Sequence, residues 1–276
     1  MFAAGLITFR ETLEAALVVG ILLSFLYKTH QPLLKKYVWL GVFFGVGFSI
    51  ILSILLKVFF GGLSGTSEQL FEGILMFVTA GFLTWMILWV HRQKGMAKKI
   101  EEKAAYHIAT GFPLGLTLLT FTSVMREGVE TALYLQAVSS LGGGNQLLGA
   151  GVGIVIALAI GYGIFRFSVR MNLIRLLKIS GAVLLLFAAG LVAHGVHEFQ
   201  EVGLLPIFSF DPMINISHIL DNNSFIGSLL RTLFGYTAKP TMLELFAYSI
   251  YIFIIFSLEQ ITDRLLLAKQ IKPQVR

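Results

Sequence analysis

The sequence predicts an all-α integral membrane protein with seven transmembrane helices, and three observations support this fold class. The 276 residues are 56% hydrophobic and 13% charged, with a mean hydropathy of +0.82, which lies outside the range of soluble globular domains. Seven apolar segments each approach the length of about 20 residues that a helix needs to cross a bilayer. The lysines and arginines gather in alternate connections between these segments.

The seven helices are predicted to form a single membrane domain that covers residues 1–276. We place the helices near 5–27, 37–60, 69–90, 112–137, 146–167, 179–199 and 244–266. The first segment has no basic region before it and no small-residue cleavage site, so we expect a retained helix rather than a signal peptide. A stretch of mixed charge at 91–107 predicts a short amphipathic helix in the connection after the third crossing.

The distribution of basic residues predicts the orientation of the chain in the cytoplasmic membrane. Basic residues favour the cytoplasmic ends of membrane helices. Sixteen of the 21 fall in alternate connections and at the C-terminus, namely Lys28, Lys35, Lys36, Arg92, Lys94, Lys98, Lys99, Lys103, Arg166, Arg170, Arg175, Lys178, Arg264, Lys269, Lys272 and Arg276. We therefore expect the N-terminus outside and the C-terminus inside. The net charge of +6 reflects this topology and does not indicate a nucleic-acid partner.

A charged motif interrupts the first apolar segment and recurs in the fourth. Arg10, Glu11 and Glu14 form an Arg-Glu-x-x-Glu pattern, and Arg126, Glu127 and Glu130 repeat it 116 positions later. Each charged side chain near the centre of a bilayer costs roughly 2.5–3.5 kcal/mol on insertion scales. Six such charges in two matching sets indicate a functional site.

The spacing within each motif places its charges on one side of a helix. Glutamates at i and i+3, with an arginine four residues before the second, share a face. Two such helices facing each other gather four carboxylates and two guanidiniums, a formal charge of minus two that one divalent cation neutralises. The alternative is an intramembrane salt bridge that fastens two helices, although the surplus of carboxylates makes a poor fastener. Because the chain has no cysteine, metal ligands are limited to oxygen and imidazole.

The positions of the two motifs predict an inverted repeat. Two crossings lie between them, so the first and fourth helices cross the membrane in opposite directions. This pattern predicts a 3+3 inverted-topology repeat with a seventh helix appended and a site near the midplane. We therefore expect the two motif helices to pack as antiparallel neighbours, with the four glutamates in one cavity. Outside the motifs we identify no repeat in the sequence.

A second set of polar residues is predicted at the outer ends of the third and sixth helices. Glu68 and Glu72 lie in the first turns of the third helix, where carboxylates either cap the helix or bind an ion. The sixth helix ends in a stripe of potential ligands at helical spacing, formed by His194, His197, Glu198 and Glu201. These six residues are a candidate outer access site for a cation.

At this point the sequence resembles a known family, the oxidase-dependent iron permeases, and within it the bacterial ferrous-iron permeases. The resemblance rests on the two Arg-Glu-x-x-Glu motifs and on three further segments, Leu70-Phe71-Glu72-Gly73, His197-Glu198-Phe199 and Phe234-Gly235-Tyr236 to Pro240. It implies that Glu11, Glu14, Glu127 and Glu130 bind and pass iron, with Arg10 and Arg126 as motif partners. Iron is then the transported substrate, and no permanently bound cofactor is expected.

The resemblance also implies partners outside the membrane that handle iron redox chemistry, either a multicopper oxidase or cupredoxin-like and haem-peroxidase proteins. A manganese or zinc permease remains an alternative because oxygen ligands separate these ions weakly. A membrane-embedded di-iron enzyme is less favoured, since such sites use Glu-x-x-His pairs and the chain has none. The sequence thus predicts a transporter and not an enzyme.

Overall fold

The computed structural model describes residues 2–91, 96–140, 146–167, 173–207, 227, 230, 235–237 and 239–271, and these residues form helices and turns without any strand. Eight α-helices are described, α1 Phe2–Lys28, α2 Lys35–Gly61, α3 Thr66–His91, α4 Met96–Ala109, α5 Leu114–Ser140, α6 Gln146–Phe167, α7 Leu173–Glu201 and α8 Met242–Ile271. Seven of them overlap the predicted crossings, and α4 is the expected amphipathic helix. Most of the connection at 200–243 falls outside the described residues.

By length and composition, most of these helices are largely apolar, whereas α1 and α5 carry charges within an apolar sequence. Four helical stretches of the described chain are long and apolar enough to cross a membrane, Pro32–Gly61, Thr66–Leu88, Gln146–Ile164 and Ser180–Glu201, and Met242–Leu258 is a shorter apolar helix. Helices α1 and α5 have 27 residues each, but each carries the three charges of its motif. At 1.5 Å per residue their length of about 40 Å exceeds the hydrocarbon core of a bilayer, which is roughly 30 Å thick.

The chain divides into two units. The first, Met1–Glu68 with Gln93–Ala182, holds α1, α2, α4, α5 and α6. In this unit α1 packs mainly along α6, and α5 packs mainly along α2. Helices α1 and α5 are also neighbours, and they are antiparallel because Leu26 shares a buried cluster with Leu116 while Glu11 meets Glu127.

Glycines allow the close approach of each motif helix to its partner. On α2, Gly41 packs against the α5 turn of Thr120 and Phe121. Gly45 faces Val124 of α5, and a Cβ at Gly45 would lie 2.9 Å from the Val124 side chain. On the other pair, Gly5 of α1 faces Gly149 of α6, and a Cβ at Gly153 would meet Thr8. The Thr8 hydroxyl also donates to the Ala150 carbonyl at 3.0 Å. Small residues at four-residue spacing are the usual means by which membrane helices approach closely.

These contacts repeat along the chain. Gly149 and Gly153 follow Gly41 and Gly45 by 108 positions, whereas Phe121 and Val124 follow Gly5 and Thr8 by 116 positions, the offset of the charged motifs. The contacts of Gly41 and Gly45 on one helix pair therefore have counterparts in those of Gly149 and Gly153 on the other. Outside the motifs, this correspondence was not visible in the sequence alone. A pair of glycines is too short a pattern to identify until the structure shows what it contacts.

The second unit, Gln69–Arg92 with Val183–Arg276, contains a reciprocal contact of its own. Gly73 of α3 faces Phe199 of α7, Gly195 of α7 faces Phe77 of α3, and the two phenylalanine rings stack with centroids 5.5 Å apart. These contacts make α3 and α7 antiparallel. Gly195 and Phe199 follow Gly73 and Phe77 by 122 positions, so this pair is also repeated in the sequence.

We expect substitution of Gly45 by leucine to destabilise the first unit, because the added side chain collides with Val124 and overpacking typically costs about 1–3 kcal/mol. The measurement is the melting temperature of the purified protein in detergent. The matched control is Gly47→Leu on the same helix, where a Cβ meets nothing within 4 Å. Equal melting temperatures for the two variants would contradict the close packing of α2 on α5.

Candidate metal centre

The two charged motifs lie at the middle of α1 and α5. Glu14 is close to the midpoint of Phe2–Lys28, and Glu127 is at the midpoint of Leu114–Ser140. Because the two helices are antiparallel neighbours, their midpoints lie at the same level. The structure therefore brings the motifs together, as the helix count between them led us to expect.

Three of the four motif glutamates form one compact group. Glu11, Glu127 and Glu130 each offer a carboxylate oxygen, and these oxygens all lie within 4.8 Å of one another. The three residues are at most 8% exposed. Within the part of the chain that the structure describes, this is the one group of three or more potential metal ligands with such spacing. Oxygen Oε2 of Glu11 and Oε2 of Glu127 are buried and have no hydrogen-bond partner among the described residues.

The fourth glutamate, Glu14, is held by an arginine and is not a member of this group. Arg10 is 1% exposed, and its guanidinium spans two carboxylates of its own helix. Its Nη1 donates to Glu11 Oε1 at 2.9 Å, and its Nη2 forms an ion pair with Glu14 Oε1 at 2.7 Å. The planar, fork-like guanidinium suits such a double contact, which a lysine ammonium does not reproduce.

The second motif is arranged differently. Arg126 Nε donates to Glu130 Oε1 at 3.0 Å, but the Arg126 side chain is 27% exposed. The other oxygen of Glu130 accepts a hydrogen bond of 3.2 Å from the hydroxyl of Tyr134, which is fully buried. Glu130 is thus fixed from both sides.

Sequence reasoning missed Tyr134. The sequence feature that could have identified it is its position four residues after Glu130. On a helix, this spacing brings the tyrosine hydroxyl near the carboxylate of the preceding turn. The equivalent position on α1, 116 residues earlier, is Val18, so the two halves of the site are not chemically equal. Only the α5 side of this pair offers a phenolic hydroxyl to its second glutamate.

The second unit brings together part of the predicted outer access site. His197 lies between two carboxylates, with Nδ1 2.8 Å from Glu244 Oε1 and Nε2 3.2 Å from Glu201 Oε1. Gln69 Nε2 donates to Glu201. Glu244, which is buried, was not among the predicted site residues. Its signal was the sequence Thr-x-x-Glu at the start of α8, where the Thr241 hydroxyl accepts from the Glu244 amide as an N-cap.

The other predicted residues of the access site have separate surroundings. His194 is buried, with Nδ1 3.2 Å from the Gly190 carbonyl oxygen in its own helix. Glu198 and Glu72 are half-buried, and Glu68 is exposed in the first turn of α3. The stripe on α7 is therefore not one set of ligands around a common point among the described residues.

The long apolar helices indicate a membrane protein, and the buried carboxylates of α1 and α5 are its candidate metal centre. The chain belongs to the iron permease FTR1 family, which it matches over residues 1–273. The family match and the resemblance noted from the sequence agree.

Curated relatives support the same family. The chain is 32% identical over 256 residues to the ferrous iron permease EfeU of Yersinia pestis, covering 91% of this chain and 90% of the relative. It is 30% identical over 256 residues to ferrous iron permease EfeU of Escherichia coli O6:K15:H31, covering 91% and 92%. An uncharacterized protein of Archaeoglobus fulgidus is 31% identical over 252 residues, covering 89% of each chain. No solved structure matches the chain significantly.

We expect replacement of an arginine by lysine to lower the stability of the protein more at Arg10 than at Arg126. Arg10→Lys loses one of two buried carboxylate contacts, and breaking a buried pair costs about 3–5 kcal/mol. Arg126→Lys acts at a partly exposed side chain and is expected to cost less. Thermal melting of both variants in detergent checks this order. A larger loss of stability in Arg126→Lys would contradict the assigned roles.

Proposed function

We propose that the protein is an iron permease that moves iron ions across the cytoplasmic membrane into the cell through the glutamates of α1 and α5. The observation that carries the proposal is the group of three buried carboxylates, two of which have an unpaired oxygen, at the midpoint of two antiparallel helices. The names of the relatives agree with iron as the substrate.

Charge balance favours a divalent cation in this site. The motifs contribute four carboxylates and two guanidiniums, so ionised side chains leave a charge of minus two in an apolar interior. Isolated buried charge is costly, whereas a bound cation supplies the missing partner. Carboxylate oxygens bind Fe²⁺ well, and they do not exclude Mn²⁺. Competition between radioactive iron and manganese for uptake therefore distinguishes an iron permease from a manganese permease.

We propose further that the chain crosses the membrane seven times as an inverted repeat, α1–α3 against α5–α7, with α8 appended. The reciprocal contacts within each unit support this architecture. Exchange of α1 with α5 and of α2 with α6 superimposes the contacts of Gly41 and Gly45 on those of Gly149 and Gly153. Inverted repeats place a substrate site near the midplane, at the repeat interface. That is the level of the motif glutamates in α1 and α5.

The proposed orientation supports inward transport of iron. With the N-terminus outside, the α7 end that carries His197 and Glu201 faces the outside, where carboxylates attract cations by raising their local concentration. Iron is delivered there by proteins with iron redox chemistry, cupredoxin-like, haem peroxidase or multicopper oxidase. The orientation is tested by labelling of single cysteines, since the native chain has none.

Glu→Gln replacement at Glu11, Glu14, Glu127 or Glu130 is expected to abolish iron uptake nearly completely. The substitution keeps the shape of the side chain but removes a charge where water does not replace it. Uptake of radioactive iron into proteoliposomes, normalised to the protein in the membrane, measures the effect. Wild-type rates in all four variants would overturn the proposed path.

The same replacement at Glu72, Glu198 or Glu201 serves as the comparison. These residues are half-buried or exposed, so screening weakens the loss of one charge. We expect a raised half-saturation concentration and a largely preserved maximum rate. A complete loss of maximum rate would place these outer residues in the obligatory path as well.

Tyr134→Phe tests whether the hydroxyl positions Glu130. Removing it leaves one Glu130 oxygen without its donor, so the carboxylate loses a fixed orientation. A hydrogen bond to a charged group contributes about 1.5–3 kcal/mol, and we expect weaker iron binding at unchanged protein abundance. Thr131→Val is the control, because its hydroxyl bonds only the Glu127 carbonyl of its own helix. Equal iron affinity in Tyr134→Phe and wild type would assign Tyr134 to packing.

A further inference from the structure

A long groove in the first unit has no place in the proposed path of iron. It encloses about 770 Å³ along one side of α1, between α2 and α6. Its α1 wall runs from Thr12 to Lys28, which spans about 24 Å at 1.5 Å per residue. The volume falls within the range of roughly 300–1,000 Å³ that is usual for small-molecule sites.

Most of this groove is apolar. Val19 and Leu23 of α1, Val46 of α2 and Leu158 of α6 line its length. The wall residues on α1 recur at helical spacing, so they form one continuous stripe. An apolar groove of this length suits a hydrocarbon chain lying parallel to the helices.

One end of the groove is cationic. Lys28 lines that end together with Tyr27 and Trp39, and Lys35 Nζ lies 5.6 Å from the centre of the Tyr27 ring. The described residues that line the groove include no acidic side chain. Two ammonium groups at one end repel a metal cation and attract an anion. The groove therefore does not suit the exit of iron, but it fits a molecule with an anionic head and an apolar tail.

We propose that this groove is a binding site for an anionic phospholipid. The acyl chain lies along α1 towards Thr12, and the phosphate lies between Lys28 and Lys35. Tyr27 and Trp39 contribute the amphipathic side chains that are usual at the level of lipid head groups. Basic pockets between membrane helices recognise anionic head groups by the same combination of charge and apolar surface.

Native mass spectrometry of the delipidated full chain tests the site. The protein is titrated with an equal mixture of palmitoyl-oleoyl phosphatidylglycerol and palmitoyl-oleoyl phosphatidylcholine. We expect the protein to retain phosphatidylglycerol selectively. Lys28→Gln and Lys35→Gln should each lower the affinity for phosphatidylglycerol about fivefold, which is the contribution of one lysine near an anionic surface. Lys36→Gln is the charge control, because Lys36 lies over the Tyr37 ring and not at the groove.

A second pair of variants tests the apolar part without changing charge. Val46→Trp fills the groove and is expected to remove lipid retention, whereas Val58→Trp on the exposed far end of the same helix leaves it intact. Equal retention of both lipids by the wild type would overturn the proposal. The proposal would also be overturned if the delipidated wild type formed a dimer and Val46→Trp dissociated it. The groove would then be an interface between two copies of the chain.

Discussion

The structure depends on the balance of charge at the middle of α1 and α5. Arg10, buried and bonded to Glu11 and Glu14, neutralises much of the first motif. Glu127 and Glu130 bring further carboxylates to the same place, and the guanidiniums do not match them in number. An apolar interior accommodates such a surplus when a cation is close or when a carboxylate takes up a proton. The same imbalance that makes the site costly makes it suitable for a divalent ion.

Glycines in the neighbouring helices determine how closely the two motif helices pack and hold the charges of the two motifs opposite each other. Gly41 and Gly45 let α5 approach α2, and Gly149 and Gly153 let α1 approach α6. Close backbone contact fixes the rotation of each motif helix about its own axis. That rotation decides which side chains face the opposite motif, so the glycines position the carboxylates without touching them. The proposed iron site thus depends on helix packing as well as on ligand chemistry.

Much of this arrangement follows from the sequence alone. Two copies of Arg-Glu-x-x-Glu in apolar segments indicate buried sites on two helices. Their positions on the first and fourth crossings indicate that these helices are antiparallel. Helix periodicity also places Glu11 and Glu14 on one face. What it leaves open is the rotation of one helix against another. The sequence predicted all four glutamates in one cavity without a finer grouping. The structure groups Glu11 with Glu127 and Glu130, and Arg10 joins Glu11 to Glu14.

The residues that sequence reasoning missed share this physical cause. Tyr134 and Glu244 occupy ordinary helical positions, and their role depends on which neighbour their polar atoms reach, Glu130 in one case and His197 in the other. The glycine repeats were overlooked for the same reason, because a small residue carries meaning only through the atoms that approach it. Local spacing identifies charged groups that are costly to bury, but contacts between helices require the fold.

The most direct test of the central claim is an anomalous diffraction map at the iron edge from crystals grown anaerobically with Fe²⁺. The account predicts one peak bounded by Glu11, Glu127 and Glu130, at about 2.0–2.2 Å from their carboxylate oxygens, the usual length for a first-row metal. The peak should disappear in the Glu130→Gln variant. A peak at His197 and Glu201, with none between α1 and α5, would contradict the claim that the paired motifs form the iron site.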